Sequence, residues 1–191
     1  MNKDTPRRAV FLDRDGVLNR AILRSGKPYP PATLAEVEIL PETLPCLEML
    51  HSAGYRLIVV TNQPDVARGS QTRQNVEAMH AFLQANLPID RFMVCYHDDR
   101  DQCHCRKPAP GLLLEASRQE NIDLMHSFMI GDRWRDIEAG QRAGCQTIFI
   151  EYHYAEQQPL APDYRVSSLS EAVSTILRDQ IVKQPEELST S

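Results

Sequence analysis

Short apolar runs alternate with longer amphipathic segments along this chain. Such runs, rich in β-branched and aromatic residues and bounded by polar turns, are typical of buried strands. The run Leu57–Val60 is apolar at every position, as expected of a parallel strand that helices cover on both faces. The predicted strands are Ala9–Leu12, Arg56–Thr61, Arg91–Cys95, Phe128–Ile130 and Gln146–Ile150.

Between the strands, apolar residues recur every three or four positions, which predicts helices. Ser168 and Glu171 have the spacing of a capping box, so we expect a last helix over about Leu169–Leu177. This alternation predicts an α/β fold, a Rossmann-like doubly wound parallel sheet with helices on both faces. The positions that indicate the other helices are Leu44, Leu47 and Leu50, then Val76, Met79 and Leu83 beside Phe82, then Leu112–Ala116, and finally Ile137.

The length of 191 residues and the hydrophobic content of 42% fit one domain with a substantial core. We expect this domain to span residues 1–180. The polar residues 181–191 are expected to form a disordered tail.

The formal net charge of −5 and the absence of a lysine-rich run argue against a general binder of nucleic acid or of anionic membranes. A small anionic substrate remains possible, because a few local cations could hold it. The first residues, Met1–Thr5, are polar and offer no apolar stretch fit for a signal peptide, so we expect neither a signal peptide nor a segment that spans a bilayer. We therefore expect a cytoplasmic protein, and a monomer.

Acidic residues follow two of the predicted strands. Asp13 and Asp15 come directly after the first and lead into Gly16, while Asp132 and Asp136 follow the fourth. Taken alone, the first pair could be an acidic surface turn or the metal-binding pair of a nucleotide-sugar transferase. Asp132 could cap a helix, with Asp136 in its first turn. Ligands of such sheets bind beyond the carboxyl ends of the strands, so we expect the acids to converge. Converging carboxylates repel one another, and Mg²⁺ is a cation that prefers hard oxygen ligands.

Two further segments offer groups that bind phosphate. Thr61 and Asn62 follow the most apolar strand and supply a hydroxyl, an amide and backbone N–H groups, although an ordinary turn explains them as well. Lys107 brings a full positive charge and is the better phosphate ligand. The following Pro108 fixes the backbone and restricts Lys107 to extended conformations.

A loop in the middle of the chain contains a cluster of potential metal ligands, Cys95, His97, Cys103 and Cys105. Three sulfurs and one imidazole suit a closed tetrahedral zinc site. A disulfide and unconnected buried thiols are the alternatives, and a reducing compartment disfavours the first. His104 could replace His97, but inward-pointing cysteines on either side would turn it outward. Since four protein ligands leave no open position, we expect a structural zinc that fixes the loop carrying Arg106 and Lys107.

The order of these motifs resembles that of the phosphatases of the haloacid dehalogenase superfamily, over roughly Arg8 to Glu151. The resemblance implies that Asp13 is a nucleophile that forms an aspartyl-phosphate and that Asp15 is the general acid/base. It also implies that Mg²⁺ is held by the carboxylates of Asp13 and Asp132 and by the backbone carbonyl of Asp15. The residues that it places around the transferring phosphoryl group are Thr61, Asn62 and Lys107.

The cysteine–histidine loop narrows the resemblance to the branch that contains D-glycero-D-manno-heptose 1,7-bisphosphate 7-phosphatases and histidinol-phosphatases. Members of this branch lack a large cap domain, and the stretches between the motifs are short here too. The resemblance implies hydrolysis of a small sugar phosphate, namely removal of the 7-phosphate of the heptose bisphosphate. Arg106 would bind the second phosphate, although it could also be a surface charge or a helix-end contact. Specificity is then expected from loops around an open site, namely Ser25–Pro31, Thr61–Gly69 and the zinc loop.

Two departures keep histidinol phosphate as the alternative substrate. Pro64 and Asp65 stand where heptose-type relatives usually carry a small residue and glycine, and the zinc loop is short. A catalytically silent, zinc-stabilised binding module on the same fold is an alternative of another class. A phosphomutase is disfavoured, since mutases of this superfamily generally use a cap to exclude water.

Overall fold

Six parallel strands form the central sheet, and two further strands form a separate antiparallel hairpin. The computed structural model describes residues 5–183. The strands of the sheet lie in the order β5-β4-β1-β6-β7-β8. In chain order the strands are β1 (Ala9–Leu12), β2 (Ile22–Arg24), β3 (Lys27–Tyr29), β4 (Arg56–Asn62), β5 (Arg91–Cys95), β6 (Phe128–Gly131), β7 (Gln146–Ile150) and β8 (Tyr164–Val166).

Helices cover both faces of this sheet, as a doubly wound fold requires. On β1, Val10 and Leu12 pack in the core cluster that includes the first and last helices, whereas Ala9 and Phe11 pack in the cluster that includes the third and fourth. All four side chains are fully buried, because a central parallel strand has no solvent-facing side. The helices are α1 (Thr43–Ser52), α2 (Arg73–Asn86), α3 (Gly111–Glu120), α4 (Trp134–Ala143) and α5 (Leu169–Lys183).

The structure confirms the predicted α/β fold and all five predicted strands, with β4 and β6 each one residue longer than expected. The prediction of which residues of α1 face the core was partly wrong, because Leu44 is 42% exposed and Cys46 is buried instead. Helix α5 continues to Lys183 rather than ending near Leu177. The expected tail therefore begins within this helix, and residues 184–191 lie outside the described part of the chain.

The segment Ser25–Pro31 was expected to be a loop, and this prediction was wrong. It contains β3 and the turn of the β2–β3 hairpin, in which Ser25 and Gly26 both have positive φ angles, of 50° and 75°. Two consecutive left-handed residues match the right-handed twist of a tight hairpin. Pro28 within β3 disfavours a strand in a sequence-based prediction, but in a hairpin edge it costs no necessary hydrogen bond.

The register of the sheet brings the predicted motifs to one edge. Leu12 of β1 pairs with Val59 of β4 and with Ile130 of β6, so the residues that follow these positions lie side by side. The Asp13 N–H continues the ladder by donating to the Ile130 carbonyl at 3.0 Å. Within residues 5–183, the connections from β1 to β4 and from β4 to β5 hold the hairpin, α1 and α2, and neither holds a large cap domain. No helix in this part of the chain has the length and apolar character needed to cross a membrane.

Candidate active site

A buried lysine joins three of the segments that meet at the carboxyl edge of the sheet. Lys107 is 2% exposed, and its Nζ lies 2.7 Å from Asp13 Oδ1 and 2.5 Å from Asp136 Oδ1. The third Nζ donor reaches the Val60 carbonyl at 2.7 Å. An ammonium group has three donors, and all three are therefore used. The structure thus brings Asp13 and Lys107 together, as the sequence predicted.

Asp132 completes the cluster from the end of β6. It is 2% exposed, and neither of its carboxylate oxygens has a hydrogen-bond donor in good geometry among the described residues. The Tyr154 hydroxyl lies close enough to lower the pKa of Asp132 slightly, but not in hydrogen-bonding geometry. A buried carboxylate without donors is costly, so these oxygens are arranged for a partner of another kind.

Gly16 makes the room for that carboxylate. A Cβ atom at this position would lie 2.0 Å from Asp132 Oδ2, and the φ angle of Gly16 is +96°. Both the space and the backbone conformation therefore require glycine here. The turn that follows β1 is shaped around the acid that follows β6, which supports their convergence on one site.

Three acids share this small volume with one lysine. Ligand oxygens of Asp13, Asp132 and Asp136 all lie within 4.8 Å of one another. Burial raises the pKa of Asp13 to about 6, because the opposing effect of Lys107 is partly cancelled by Asp136 and Asp15. Burial raises the pKa of Asp132 well above its usual range, and the negative charges of Asp13 and Asp136 raise it further. The cluster carries more negative charge than Lys107 neutralises, so a divalent cation fits it.

Asp15 lies beside this cluster and is held differently. Its carboxylate accepts from the Arg14 guanidinium, from Asn19 Nδ2 at 3.0 Å and from Gln63 Nε2 at 3.3 Å. Burial would raise the pKa of Asp15, but the charge and hydrogen bonds of Arg14, followed by those of Asn19 and Gln63, lower it overall. Asp13 and Asp15 therefore have pKa values pushed in opposite directions, and Asp15 is the stronger acid of the two.

Thr61 and Asn62 both lie on the wall of the cavity above Asp13. The Thr61 hydroxyl accepts from Gln63 Nε2 at 2.9 Å, so its own proton is available to another acceptor. The Asn62 amide is already paired on both sides with the backbone of Lys107, at 3.0 and 3.1 Å. In this structure Asn62 therefore fixes the position of Lys107.

The cavity has a volume of about 320 Å³ and carries several charged side chains on its wall. Arg106 lies there with its Nε 2.7 Å from Asp99 Oδ1, and Arg135 reaches the same oxygen at 3.0 Å. The predicted Arg106 thus faces the site, held by an acid that the sequence analysis did not single out. The hairpin residues that contribute to the wall are Lys27, Pro28 and Tyr29.

The four predicted zinc ligands converge in a second cluster. Cys95 Sγ lies 3.2 Å from Cys105 Sγ and 3.7 Å from Cys103 Sγ, and His97 Nδ1 lies 3.3 Å from Cys105 Sγ. A tetrahedral zinc with bonds of about 2.3 Å separates its sulfurs by roughly 3.8 Å. The distance between Cys95 and Cys103 is close to this value, and the two distances to Cys105 Sγ are shorter, at 3.2 and 3.4 Å. Burial opposes ionisation of Cys103, but hydrogen bonds from Cys105 and from backbone N–H groups lower its pKa to about 7.

His104 is exposed and does not join this cluster, so the choice of His97 agrees with the geometry. The backbone of His104 instead ties the loop to α3, because its carbonyl accepts from the Gly111 N–H at 3.0 Å. A Cβ at Gly111 would lie 2.2 Å from that carbonyl oxygen. The loop that carries Arg106 and Lys107 is therefore packed closely against the start of α3.

Asp136 is the main site residue whose role the sequence left open. Its Oδ2 accepts from the Arg133 N–H at 3.0 Å, as a helix-capping acid should, while its Oδ1 contacts Lys107. Its spacing of four residues from Asp132 was the available signal, but that spacing alone did not separate capping from contact with Lys107. The structure shows that one carboxylate does both.

Comparisons with known proteins agree with this arrangement. The sequence profile of the HAD-hydrolase-like family matches residues 104–172. The chain is 35% identical to a D-glycero-beta-D-manno-heptose-1,7-bisphosphate 7-phosphatase of Helicobacter pylori, over 71% of this chain and 79% of that one. It is 32% identical to a D-glycero-D-manno-heptose-1,7-bisphosphate 7-phosphatase of Chlorobaculum tepidum, over 91% of this chain and 96% of that one.

A solved structure shares the same architecture. It is the D,D-heptose 1,7-bisphosphate phosphatase of B. bronchiseptica, complexed with magnesium and phosphate. The TM-score is 0.77 at 26% sequence identity, and the alignment covers 90% of this chain and 99% of that chain.

The acidic cluster predicts how stability depends on pH. A carboxyl whose pKa is raised in the folded state stabilises the fold below its unfolded pKa, and this contribution is lost as pH rises through the folded value, about 6 for Asp13. In EDTA, the free energy of unfolding should therefore fall as the pH rises from about 5 to about 8. This fall should be larger in the wild type than in Asp132→Asn, by on the order of 1–3 kcal/mol. Urea denaturation at both pH values measures this difference. Equal pH dependence in the two proteins would contradict the described electrostatics.

Proposed function

This chain belongs to the HAD-like hydrolase family, and we propose that it is a Mg²⁺-dependent phosphatase that removes the 7-phosphate of D-glycero-D-manno-heptose 1,7-bisphosphate. The observation that carries the proposal is the convergence of Asp13, Lys107 and Asp132 beside a cavity whose wall carries both cationic and acidic side chains. The substrate is inferred from relatives that carry this name and align over most of both chains. The expected cytoplasmic location and monomeric state remain predictions.

The donor set supports Mg²⁺ as the cation. Among the described residues no donor meets the two buried oxygens of Asp132 in good hydrogen-bonding geometry, and Gly16 makes room for this carboxylate at the site. The groups that would hold the ion are the carboxylates of Asp13 and Asp132 and the backbone carbonyl of Asp15, all hard oxygen ligands. When bound, Mg²⁺ would offset the repulsion between the carboxylates and a phosphate dianion.

Asp13 is proposed to attack phosphorus in line with the ester oxygen. The bond between Asp13 and phosphorus forms, the bond to the ester oxygen breaks, and its electron pair stays on the leaving oxygen. Asp13 loses its negative charge when it becomes an aspartyl-phosphate, so the Lys107 donor that now lies on Asp13 can turn to a phosphoryl oxygen. The Thr61 hydroxyl lies on the cavity wall with a proton to donate to the same group.

Asp15 is proposed to carry the proton in both half-reactions. A sugar alkoxide is a poor leaving group, so Asp15 donates a proton to it. The approach of a phosphate dianion favours the protonated acid, because it adds negative charge beside the carboxylate. In the second half-reaction Asp15 takes a proton from the attacking water, which releases inorganic phosphate and restores both Asp13 and Asp15.

Arg106 is proposed to bind the second phosphate of the substrate. It faces the cavity with its side chain 11% exposed, and it forms an ion pair with Asp99. Arg135 shares Asp99 and adds a second positive charge on the same wall. A bisphosphate offers these cations a second phosphate, which a substrate with one phosphate and an amine does not.

We also infer that the second cluster holds a structural zinc. Cys95, His97, Cys103 and Cys105 provide four ligands at close to tetrahedral spacing, which leaves no position for a substrate. Zinc would fix the loop that carries Lys107, so it would support phosphate binding without taking part in the chemistry.

The substrate assignment is tested by comparing kcat/KM for heptose 1,7-bisphosphate and for histidinol phosphate in the presence of Mg²⁺. We expect the bisphosphate to be preferred by about 10² or more, because a buried or semi-buried charge pair with Arg106 is worth a few kcal/mol. Arg106→Gln should remove most of this preference. Equal and poor values for both compounds would reject the substrate while leaving the fold assignment intact.

Substitutions of Asp13 and of Asp15 should lower turnover to different degrees. Asp13→Asn should abolish steady-state turnover, because the amide cannot attack phosphorus, while Asp15→Asn should lower kcat by about 10²–10⁴. Both variants should keep their fold, as judged by circular dichroism. Turnover by Asp13→Asn at the wild-type rate would contradict the proposed nucleophile, and a wild type without turnover on any phosphate ester would favour the binding module.

Loss of one zinc ligand should be visible in metal content. Cys103→Ser is expected to lower the zinc content measured by elemental analysis and to lower Tm, because the loop has little apolar packing of its own. The matched control is His104→Ala, which changes an exposed neighbour and should retain zinc. An unchanged zinc content in Cys103→Ser would refute the ligand assignment.

A further inference from the structure

Arg14 connects Asp15 to the interior of the protein, although the proposed reaction gives it no role. Its side chain is only 1% exposed. Its Nε lies 3.1 Å from each Asp15 oxygen, and its Nη2 lies 2.8 Å from Oδ2. A planar guanidinium that contacts both oxygens fixes the orientation of the carboxylate, not only its charge.

The remaining guanidinium nitrogen contacts a buried histidine. Arg14 Nη1 lies 3.0 Å from His80 Nε2. A guanidinium has donors and no acceptor, so Nε2 must accept, and the ring must be neutral with its proton on Nδ1. Burial, followed by the charge of Arg14, lowers the pKa of His80 to about 3, against a smaller opposing effect of Asp15. The tautomer inferred from geometry is therefore the form present near neutral pH.

His80 is itself held by packing. It lies on the inner face of α2 and is 6% exposed. Its ring stacks on Phe92 of β5, with the ring centroids 4.4 Å apart and the planes inclined by 17°. The acceptor that Arg14 reaches thus has a position set by the contact between α2 and the sheet. Arg14 is anchored on one side by this ring and on the other by Asp15.

We propose that His80 is a positioning residue for the proton transfer: by accepting from Arg14, it fixes the guanidinium that aims the Asp15 carboxylate at the ester oxygen. Without this acceptor, Nη1 would be a buried donor without a partner, and Arg14 would turn toward a new one. Asp15 would then be displaced from the geometry that proton transfer needs. The inference rests on the proposed function, because it assumes that Asp15 donates the proton.

The test uses two esters that differ in their need for a proton. A sugar alkoxide must be protonated as it leaves, whereas 4-nitrophenolate is a stable anion and leaves without one. Hydrolysis of the aspartyl-phosphate needs Asp15 for both esters, so the contrast is sought in the first half-reaction, as the single-turnover rate at which the leaving group is released. His80→Leu should lower this rate by about 10- to 100-fold for heptose 1,7-bisphosphate and by less than about threefold for 4-nitrophenyl phosphate. Asp15→Asn should show the same contrast with a larger loss on the sugar phosphate.

Two further variants separate positioning from general damage to α2. His80→Gln places an amide oxygen that can accept from Arg14, so it should recover most of the activity on the sugar phosphate. Met79→Ala removes a buried apolar side chain from the same helix and should affect both esters by the same factor. Equal losses on the two esters in His80→Leu, or no recovery in His80→Gln, would overturn the inference. A wild type that hydrolyses neither ester would overturn the proposed function, and the inference with it.

A measurement on the unchanged protein does not depend on whether any variant folds. Long-range ¹H–¹⁵N NMR spectra near neutral pH distinguish the two neutral tautomers of histidine and the imidazolium. We expect His80 to carry its proton on Nδ1 alone. A proton on Nε2, in either the other tautomer or the imidazolium, would overturn the inference, because Arg14 would then have no acceptor.

Discussion

The buried ammonium group of Lys107 is the interaction on which the site depends. Burial favours the neutral amine, but Asp13 and Asp136 outweigh it and raise the pKa of Lys107, so the charge is retained. The three acceptors around Nζ come from the ends of β1 and β4 and from the first turn of α4. Removing one member of such a buried pair typically costs about 3–5 kcal/mol, since the other charge is left without compensation. One side chain thus fixes three separate segments at the edge of the sheet.

Lys107 neutralises only part of the negative charge of the acidic cluster, and the negative charge that remains links stability to function. Asp132 remains a buried acid that no donor among residues 5–183 meets in good geometry, and burial raises its pKa. A site optimised for folding alone would place an uncharged group there. The residual negative charge is instead what attracts a divalent cation, and the cation in turn makes the position attractive to a phosphate ester. The proposed zinc would act on the same centre from outside, by fixing the loop whose backbone carries Lys107.

The strand ends could be predicted from the sequence because apolar runs followed by acids are a local signal. The convergence of Asp13 and Asp132 could be predicted from the rule that parallel strands end at one edge of the sheet. The partners of these residues could not be predicted in the same way. Gln63 joins Thr61 to Asp15 through side-chain contacts that depend on exact rotamers, and no spacing in the chain encodes them.

Asn62 and the hairpin show two other limits of the sequence. No spacing in the sequence indicates that the Asn62 side-chain amide pairs with the backbone of Lys107, 45 residues away in the chain. Such a contact depends on how two distant loops pack. The β2–β3 hairpin escaped prediction because it is short, contains Pro28 and has a turn of Ser25 and Gly26 rather than a common hairpin dipeptide.

The claim that Asp13 attacks phosphorus is tested most directly by trapping the phosphorylated enzyme. In Asp15→Asn the attacking water lacks its general base, so an aspartyl-phosphate formed from 4-nitrophenyl phosphate should accumulate. Acid quenching during turnover, followed by proteolysis and mass spectrometry, locates the phosphoryl group. We predict that it is bound to Asp13 and is absent when Asp13→Asn is added to the same variant. A phosphoryl group on another residue, or none on the enzyme while nitrophenolate is still released, would contradict this account.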